Sequence, residues 1–156
     1  MKTAILYASK HGAAKKCAEL LKYKIFGSEL VDIKEKPDFD VMPFDTIIIG
    51  GSVYAGRLRP VVIKYCAKNI ELLKTKKLGL FIVCMMEKGQ AERELKNNFP
   101  AELYERATAK DYFGGIFDFS KLNFLERFVV RKIVKVKESV FRIKEEKISA
   151  FAEKLR

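Results

Sequence analysis

The sequence predicts an α/β fold: a doubly wound, five-stranded parallel sheet in the order 2-1-3-4-5, followed by basic C-terminal helices. Three observations point there. Short apolar runs recur at Ala4–Ala8, Leu30–Ile33, Thr46–Ile49 and Leu78–Met86, each of strand rather than helix length. Segments with helical spacing separate them. The chain has 156 residues, 49% of them hydrophobic, which is enough for one domain with a sizeable core and excludes a disordered chain. Residues 1–156 are read as that single domain. Runs apolar along their whole length suit strands covered on both faces by helices. Right-handed crossovers then leave few topologies.

Ala4-Ile5-Leu6-Tyr7-Ala8 reads as the first strand and Ser9-Lys10-His11-Gly12 as its break. Ala13, Cys17, Leu20, Leu21 and Ile25 then recur at helical spacing. Leu30–Ile33 is the second strand, and the charged, proline-containing stretch from Lys34 to Pro43 a loop. The β-branched run Thr46–Ile49 is a third strand, ended by Gly50-Gly51. Pro60 stands in the first turn of a helix that continues to about Asn69. Leu78–Met86 is the fourth strand, and a polar helix follows from about Gln90 to before Pro100. Ala107–Phe119, broken by Gly114-Gly115, is the fifth strand with its exit loop. Two helices close the chain, over Lys121–Lys137 and Ser139–Leu155.

Charge and cysteine usage narrow the function classes. Lys and Arg number 31 against 20 Asp and Glu, a net charge of +11. Such a surface attracts acidic proteins, anionic lipids, phosphates or nucleic acid. No nucleic-acid reader motif is present, which makes nucleic acid a poor fit. Cys17, Cys66 and Cys84 are odd in number and widely spaced, suiting neither a disulfide framework nor a zinc site. The single histidine, His11, excludes a multi-histidine metal site. The apolar run after Met1-Lys2-Thr3 is too short for a secretory signal, so a cytoplasmic location is expected.

In an open α/β sheet, ligands bind beyond the carboxyl ends of the strands at the switch point. The segments to inspect are therefore those after strands one, three and four: Ser9–Ala14, Gly50–Pro60 and Cys84–Gly89. Ser9, Lys10, His11, Gly12, Ala13 and Ala14 join a strand directly to a helix, where free N–H groups and the helix dipole favour phosphate. The alternative is an ordinary strand-to-helix turn with a serine cap. One glycine cannot make a dinucleotide fingerprint, and the Lys-Ser/Thr pair of a P-loop is absent. In Ser52-Val53-Tyr54-Ala55-Gly56, Tyr54 is placed to stack on a flat ligand or to cover the core edge. In Met85-Met86-Glu87 the methionines offer adaptable apolar surface or simply core. Cys84 has no base near it in sequence.

Together these loops resemble the flavodoxin superfamily. Ser9–Ala14 is similar to its T/S-x-T-G-x-T phosphate loop, with His11 and Ala14 at the second and third hydroxyl positions. Ile48–Gly56 resembles its ring loop. The resemblance implies FMN as cofactor, its phosphate on Ser9–Ala14 and its ring against Ser52–Gly56 and Met85–Glu87. Within the superfamily the chain looks most like the menaquinone-dependent protoporphyrinogen oxidase group. Gly50–Gly56 ahead of a basic segment ending in Pro60, Phe113–Phe119 with its glycine pair, and Phe124-Leu125-Glu126-Arg127-Phe128 opening a basic helix carry that likeness.

The helix over Lys121–Lys137 would bury Leu122, Leu125, Val129, Ile133 and Val136 on one face. Arg127, Arg131 and Lys135 lie opposite, with Phe124 and Phe128 among them. That surface suits the anionic inner face of a membrane or an acidic partner; alternatively the two Phe pack under the last helix.

The resemblance thus implies an FMN-binding oxidoreductase or electron-transfer protein. In its closer form it implies a quinone-dependent oxidation of protoporphyrinogen in heme biosynthesis. The alternative is a soluble flavodoxin electron carrier that docks an acidic protein and has no small-molecule substrate. No acid or base residue is assigned, because the sequence shows none; the flavin would do the chemistry. A signalling receiver domain of the same topology would need acids at the ends of strands one and three, which here read Ala8-Ser9 and Gly50-Gly51.

Overall fold

The computed structural model describes residues 1–84, 86, 88–117 and 140–156. In chain order it contains β1 (Thr3–Ala8), α1 (Ala13–Lys24), β2 (Glu29–Asp32), β3 (Thr46–Tyr54), β4 (Arg57–Leu58), α2 (Pro60–Lys68) and α3 (Ile70–Leu73). There follow β5 (Lys77–Val83), α4 (Lys88–Asn98), α5 (Ala101–Arg106), β6 (Ala109–Tyr112), β7 (Gly114–Phe117), β8 (Val140–Ile143) and α6 (Glu145–Leu155). The main sheet runs β2-β1-β3-β5-β6, all parallel, with the two-residue β4 folded back antiparallel onto β3. Leaving β4 aside, this is the expected 2-1-3-4-5 order.

Strand periodicity sends alternate side chains to opposite faces. Leu6, Ile47, Ile49, Leu80 and Ile82 join Val62 and Cys66 of α2, Ala91 and Leu95 of α4 and Leu103 of α5. Ile5, Ile48, Phe81 and Val83 join Cys17 and Leu21 of α1 and Ile148, Phe151 and Leu155 of α6. Every strand of the centre is thus buried on both sides, which is why each reads as an unbroken apolar run.

The register places the three candidate loops together. Ala8, the last residue of β1, pairs with Gly51 of β3, and Val83, the last of β5, pairs with Ser52, so β1 and β5 end within one residue of each other while β3 runs on between them to Tyr54.

Several expected boundaries are corrected. Gly50-Gly51 does not end the third strand; β3 continues to Tyr54. These glycines are required by packing rather than by a turn. A Cβ on Gly50 would lie 2.4 Å from Phe81 ring atoms, and one on Gly51 would lie 2.9 Å from the Ala8 carbonyl oxygen. The fifth strand divides: β6 stays in the sheet, while β7 leaves at Gly114 (φ 75°) and pairs antiparallel with β8. The last helix therefore begins at Glu145 rather than Ser139, because Val140–Ile143 is taken up as a strand. β5 ends at Val83, short of Met86, and α4 starts at Lys88. The helix expected over Lys121–Lys137 lies outside the described residues, as do Phe124, Arg127, Phe128, Arg131 and Lys135. Among the described residues, no helix is long and apolar enough to cross a membrane.

Phe113 fastens the sheet to the last helix. Its N–H donates to the Ile82 carbonyl at 3.0 Å, and its own carbonyl accepts from the Lys144 N–H at 2.8 Å. Its ring stacks on Phe81 at 5.2 Å and meets Phe151 of α6 edge-on at 5.2 Å. Gly79 lets α6 come close, since a Cβ there would stand 2.6 Å from Leu155 Cδ1 and 2.8 Å from Phe151 Cζ. Gly50→Ala is expected to destabilise by about 1–3 kcal/mol through overpacking against Phe81. Thermal unfolding should register this as a fall of about 2–4 °C for each kcal/mol.

Candidate functional site

The first loop is built by Ser9 and Gly12. The Ser9 hydroxyl accepts the Gly12 N–H at 2.9 Å, closing a tight turn, and Gly12 takes φ 96°. A side chain at Gly12 would be strained by that φ but would meet nothing within 4 Å, so the outer face of the turn is open. The Lys16 N–H returns to the Gly12 carbonyl at 3.0 Å, the first helical bond of α1. The N–H groups of Ala13, Ala14 and Lys15 precede it in the first turn and have no intrahelical acceptor. The side chains of Ala13 and Ala14 are buried against the α1 face of the sheet, so these two present only backbone to the loop. His11 is half-buried. No acidic residue stands in the first turn of α1, so nothing there opposes an anion.

Lys10 joins the first loop to the second. Its N–H donates to the Ser52 hydroxyl at 3.3 Å, and its ammonium lies 4.4 Å from the centroid of the Tyr54 ring. Ser9, Lys10, Gly12, Ser52 and Tyr54 are therefore brought together. Val53 packs against the core on the α2 face, while Ala55 and Gly56 are exposed at the tip.

That tip is a two-residue hairpin turn between β3 and β4, with Tyr54 paired to Arg57. Both central residues have positive φ, 52° at Ala55 and 77° at Gly56, as a primed turn demands. Glycine meets this without strain and alanine does not. Asn98, the last residue of α4, holds the hairpin from below. Its amide donates to the Gly56 carbonyl at 3.1 Å and to the Glu94 carbonyl at 2.8 Å, and its oxygen accepts the Leu58 N–H at 3.0 Å.

Of the third segment, Met86 is half-buried and packs against the α2 face of the core. Met85 and Glu87 lie outside the described residues. Cys84 is buried, and that burial pushes its thiol up to about 11. Cys17 and Cys66 are pushed up to about 12 by the same cause. None of the three offers a thiolate near neutral pH.

Glu94 of α4 is only 7% exposed. Burial raises its carboxyl above the usual carboxylate range, while hydrogen bonds from Gln90 and Cys84 pull the other way. Its Oε2 atom has no hydrogen-bond partner. A Cβ on Gly56 would stand 3.9 Å from its Oε1, so the carboxyl lies directly behind the hairpin tip.

Sequence reasoning missed Asn98 and Glu94. Asn98 carries no local signal, since its partners are about forty residues away. Glu94 does: Ala91, Glu94 and Leu95 share one helical face, so an acid interrupts an apolar stripe.

The chain matches the family model described as a flavodoxin domain over residues 4–142. No curated protein matches it. Among solved structures it is similar to a short-chain flavodoxin associated with a non-canonical PDU bacterial microcompartment. That likeness has 14% identity over 99% of this chain and 96% of that one, with a TM-score of 0.62. Oxidised flavodoxin 2 from Bacillus cereus is similar at 18% identity over 99% and 97% of the two chains, with a TM-score of 0.58. The Fusobacterium nucleatum flavodoxin bound to flavin mononucleotide is similar at 11% identity over 99% and 96%, with a TM-score of 0.53. At these identities the likeness is one of fold.

Two stability measurements check the hairpin and the buried acid. Ala55→Gly should raise stability by about 1 kcal/mol by removing the strained φ, read from chemical denaturation. For Glu94 the folded state holds its proton to higher pH than the unfolded chain. Stability should therefore fall as pH rises from the ordinary carboxylate value to the raised folded one, by up to about 1.4 kcal/mol per pH unit. It should be level above that window, and Glu94→Gln should abolish the fall.

Proposed function

Because the chain belongs to the flavodoxin-domain family, we propose that it binds FMN at the carboxyl ends of β1, β3 and β5 and transfers electrons through it. The observation that carries this reading is Lys10, whose backbone bonds to Ser52 and whose ammonium covers Tyr54. A turn with phosphate-binding chemistry and a turn with ring-binding chemistry are thereby fixed against each other.

The donor set suits the group. Ser9 Oγ, the N–H groups of Ala13, Ala14 and Lys15 that lack intrahelical acceptors and the positive end of the α1 dipole would take the phosphate, and Lys10 adds positive charge. Backbone groups of Tyr54, Ala55 and Gly56 would hold one edge of the ring, with Ser52 and Val53 beneath them. Met85, Met86 and Glu87 would hold the other, and His11 would flank the phosphate. FMN, when bound, supplies one- and two-electron transfer. The chain's own residues bind, orient and limit water. With thiols held protonated by burial, no side chain is assigned a nucleophile's part.

Two finer readings follow from the same site. Oxidation of protoporphyrinogen with a quinone as acceptor is supported by the sequence of residues 50–56, 113–119 and 124–128. A carrier that docks an acidic protein is supported by the net charge of +11. In the first reading Phe124, Arg127, Phe128, Arg131 and Lys135 would rest on an anionic membrane from the cytoplasmic side. Turnover of protoporphyrinogen with a quinone analogue separates the two, and sedimentation with anionic vesicles checks the contact.

The primary test is titration of purified protein with FMN and riboflavin, followed by flavin fluorescence. FMN should bind one to one. Riboflavin, lacking the phosphate, should bind at least about tenfold more weakly, since one charge-assisted hydrogen bond is worth about 1.5–3 kcal/mol. Lys10→Glu should narrow that difference. A protein that takes up neither flavin would end the proposal.

A further inference from the structure

Behind the hairpin tip the structure places a group that the binding scheme above does not use. Glu94 points from α4 into the space between the Tyr54–Gly56 turn and the end of β5. Its Oε1 lies 3.9 Å from the position a Gly56 Cβ would occupy, and the Cys84 thiol at the end of β5 bonds to it. The hairpin comes nearest to it at Gly56, which has no side chain. From its own helix Glu94 is met by the Gln90 side chain and, one turn on, by Asn98, whose amide is engaged with Gly56, Leu58 and the Glu94 backbone. Lys144, just ahead of α6, acts electrostatically on the Cys84 thiol. No charged side chain among the described residues pairs with the Glu94 carboxyl, and Oε2 has no partner.

Burial without a cation raises the pKa of the Glu94 carboxyl, because the anion would be poorly solvated, so it ionises only above the ordinary carboxylate range and stays poised to take its proton back. Its proton could have been avoided altogether by a glutamine of the same shape. An acid here has one property that glutamine lacks: it can exchange a proton when the local charge changes.

We propose that Glu94 is the proton-holding group of the electron-transfer site: an electron delivered beside the Tyr54–Gly56 turn and Cys84 at the end of β5 is matched by a proton bound on the Glu94 carboxyl. This rests on the FMN reading above. One electron passes from an external reduced donor to the bound flavin, and one proton passes from water to the Glu94 carboxylate. No covalent bond within the chain is made or broken besides that O–H bond. The negative charge added at the site favours the neutral acid, and the neutral acid favours the added electron; the coupling is reciprocal. At this depth Coulomb interactions are weakly screened. Glu94 acts through the field at the ring site and is a positioning residue.

Two measurements test it. The first is the midpoint potential of the FMN-loaded protein against pH, for the natural chain and for Glu94→Gln. The two curves should coincide in acid. Above the ordinary carboxylate range the natural chain should fall away from the variant by up to tenfold in reduction constant per pH unit, about 59 mV for one electron. The second is a ¹³C titration of the Glu94 carboxyl in the unaltered chain, without flavin and then with FMN oxidised and reduced. Without flavin its midpoint should lie above the ordinary carboxylate range, and reduction should move it higher. Parallel potential curves on loaded protein, or a carboxyl titration indifferent to reduction, overturn the inference and leave FMN binding standing. A chain that binds no FMN overturns both. The carboxyl titration needs no variant, so it decides the matter even if Glu94→Gln misfolds.

Discussion

The in-register parallel pairing of β1, β3 and β5, with no side chains at Gly50 and Gly51, is the constraint on which the site depends. A Cβ at Gly50 would enter the Phe81 ring, and one at Gly51 would enter the Ala8 carbonyl. Either would force β3 away from a neighbour at the level where β1 and β5 end. The separation between the first turn and the hairpin is set there, and a 3.3 Å hydrogen bond from Lys10 to Ser52 leaves little tolerance. Phe81 extends the same constraint across the sheet, because its ring also stacks on Phe113, which packs edge-on to Phe151 of α6. The geometry of the site is thus tied to the packing of the last helix.

The hairpin shows where stability has been given up. Ala55 stands in a conformation that suits glycine, and Glu94 sits buried behind the tip without a counter-charge. Both weaken the fold at the same place, and the place is where three strand ends meet. Along the strands propensity, periodicity and packing largely agree, although the Thr46 hydroxyl at the start of β3 is also buried without a partner; two conflicts meeting at one turn are what a functional constraint would leave there.

The sheet was legible because its strands are apolar throughout: Ala4–Ala8, Thr46–Ile49 and Leu78–Val83 are buried on both faces and need no partner to identify them. The order followed from strand–helix alternation and handedness. The ends of elements were not legible. Gly50-Gly51 carries the composition of a turn, but their requirement is close packing to residues thirty or forty positions away, which no local pattern encodes. Val140–Ile143 has strand composition, yet lay inside a helical reading because its partner β7 was itself read as part of the fifth strand. At the site, Ser9, Gly12 and Tyr54 were visible as turn chemistry at strand ends. Asn98 was not, since an asparagine ending a polar helix resembles any other until the hairpin folds over it. Glu94 was visible in principle, as an acid on the face carrying Ala91 and Leu95.

On the proposed reading, charge would link this site to its electron-transfer partner. Exposed ion pairs such as Lys68 with Asp38 add little to stability, while Lys147 with Asp111 is partly buried. A net charge of +11 is mildly unfavourable to a compact chain through self-repulsion, so its retention needs another cause. Steering is one that operates over a Debye length, about 8 Å at physiological ionic strength. Arg57 is exposed beside Ala55 and Gly56 at the hairpin tip, so an anionic partner drawn to this end arrives at the exposed turn. On that reading, a field of this kind would govern how fast a partner arrives, whereas the buried carboxyl behind the turn would govern how readily the electron is accepted. The surface and the interior would then act on different steps of one transfer, and a change to either could alter it without disturbing the other.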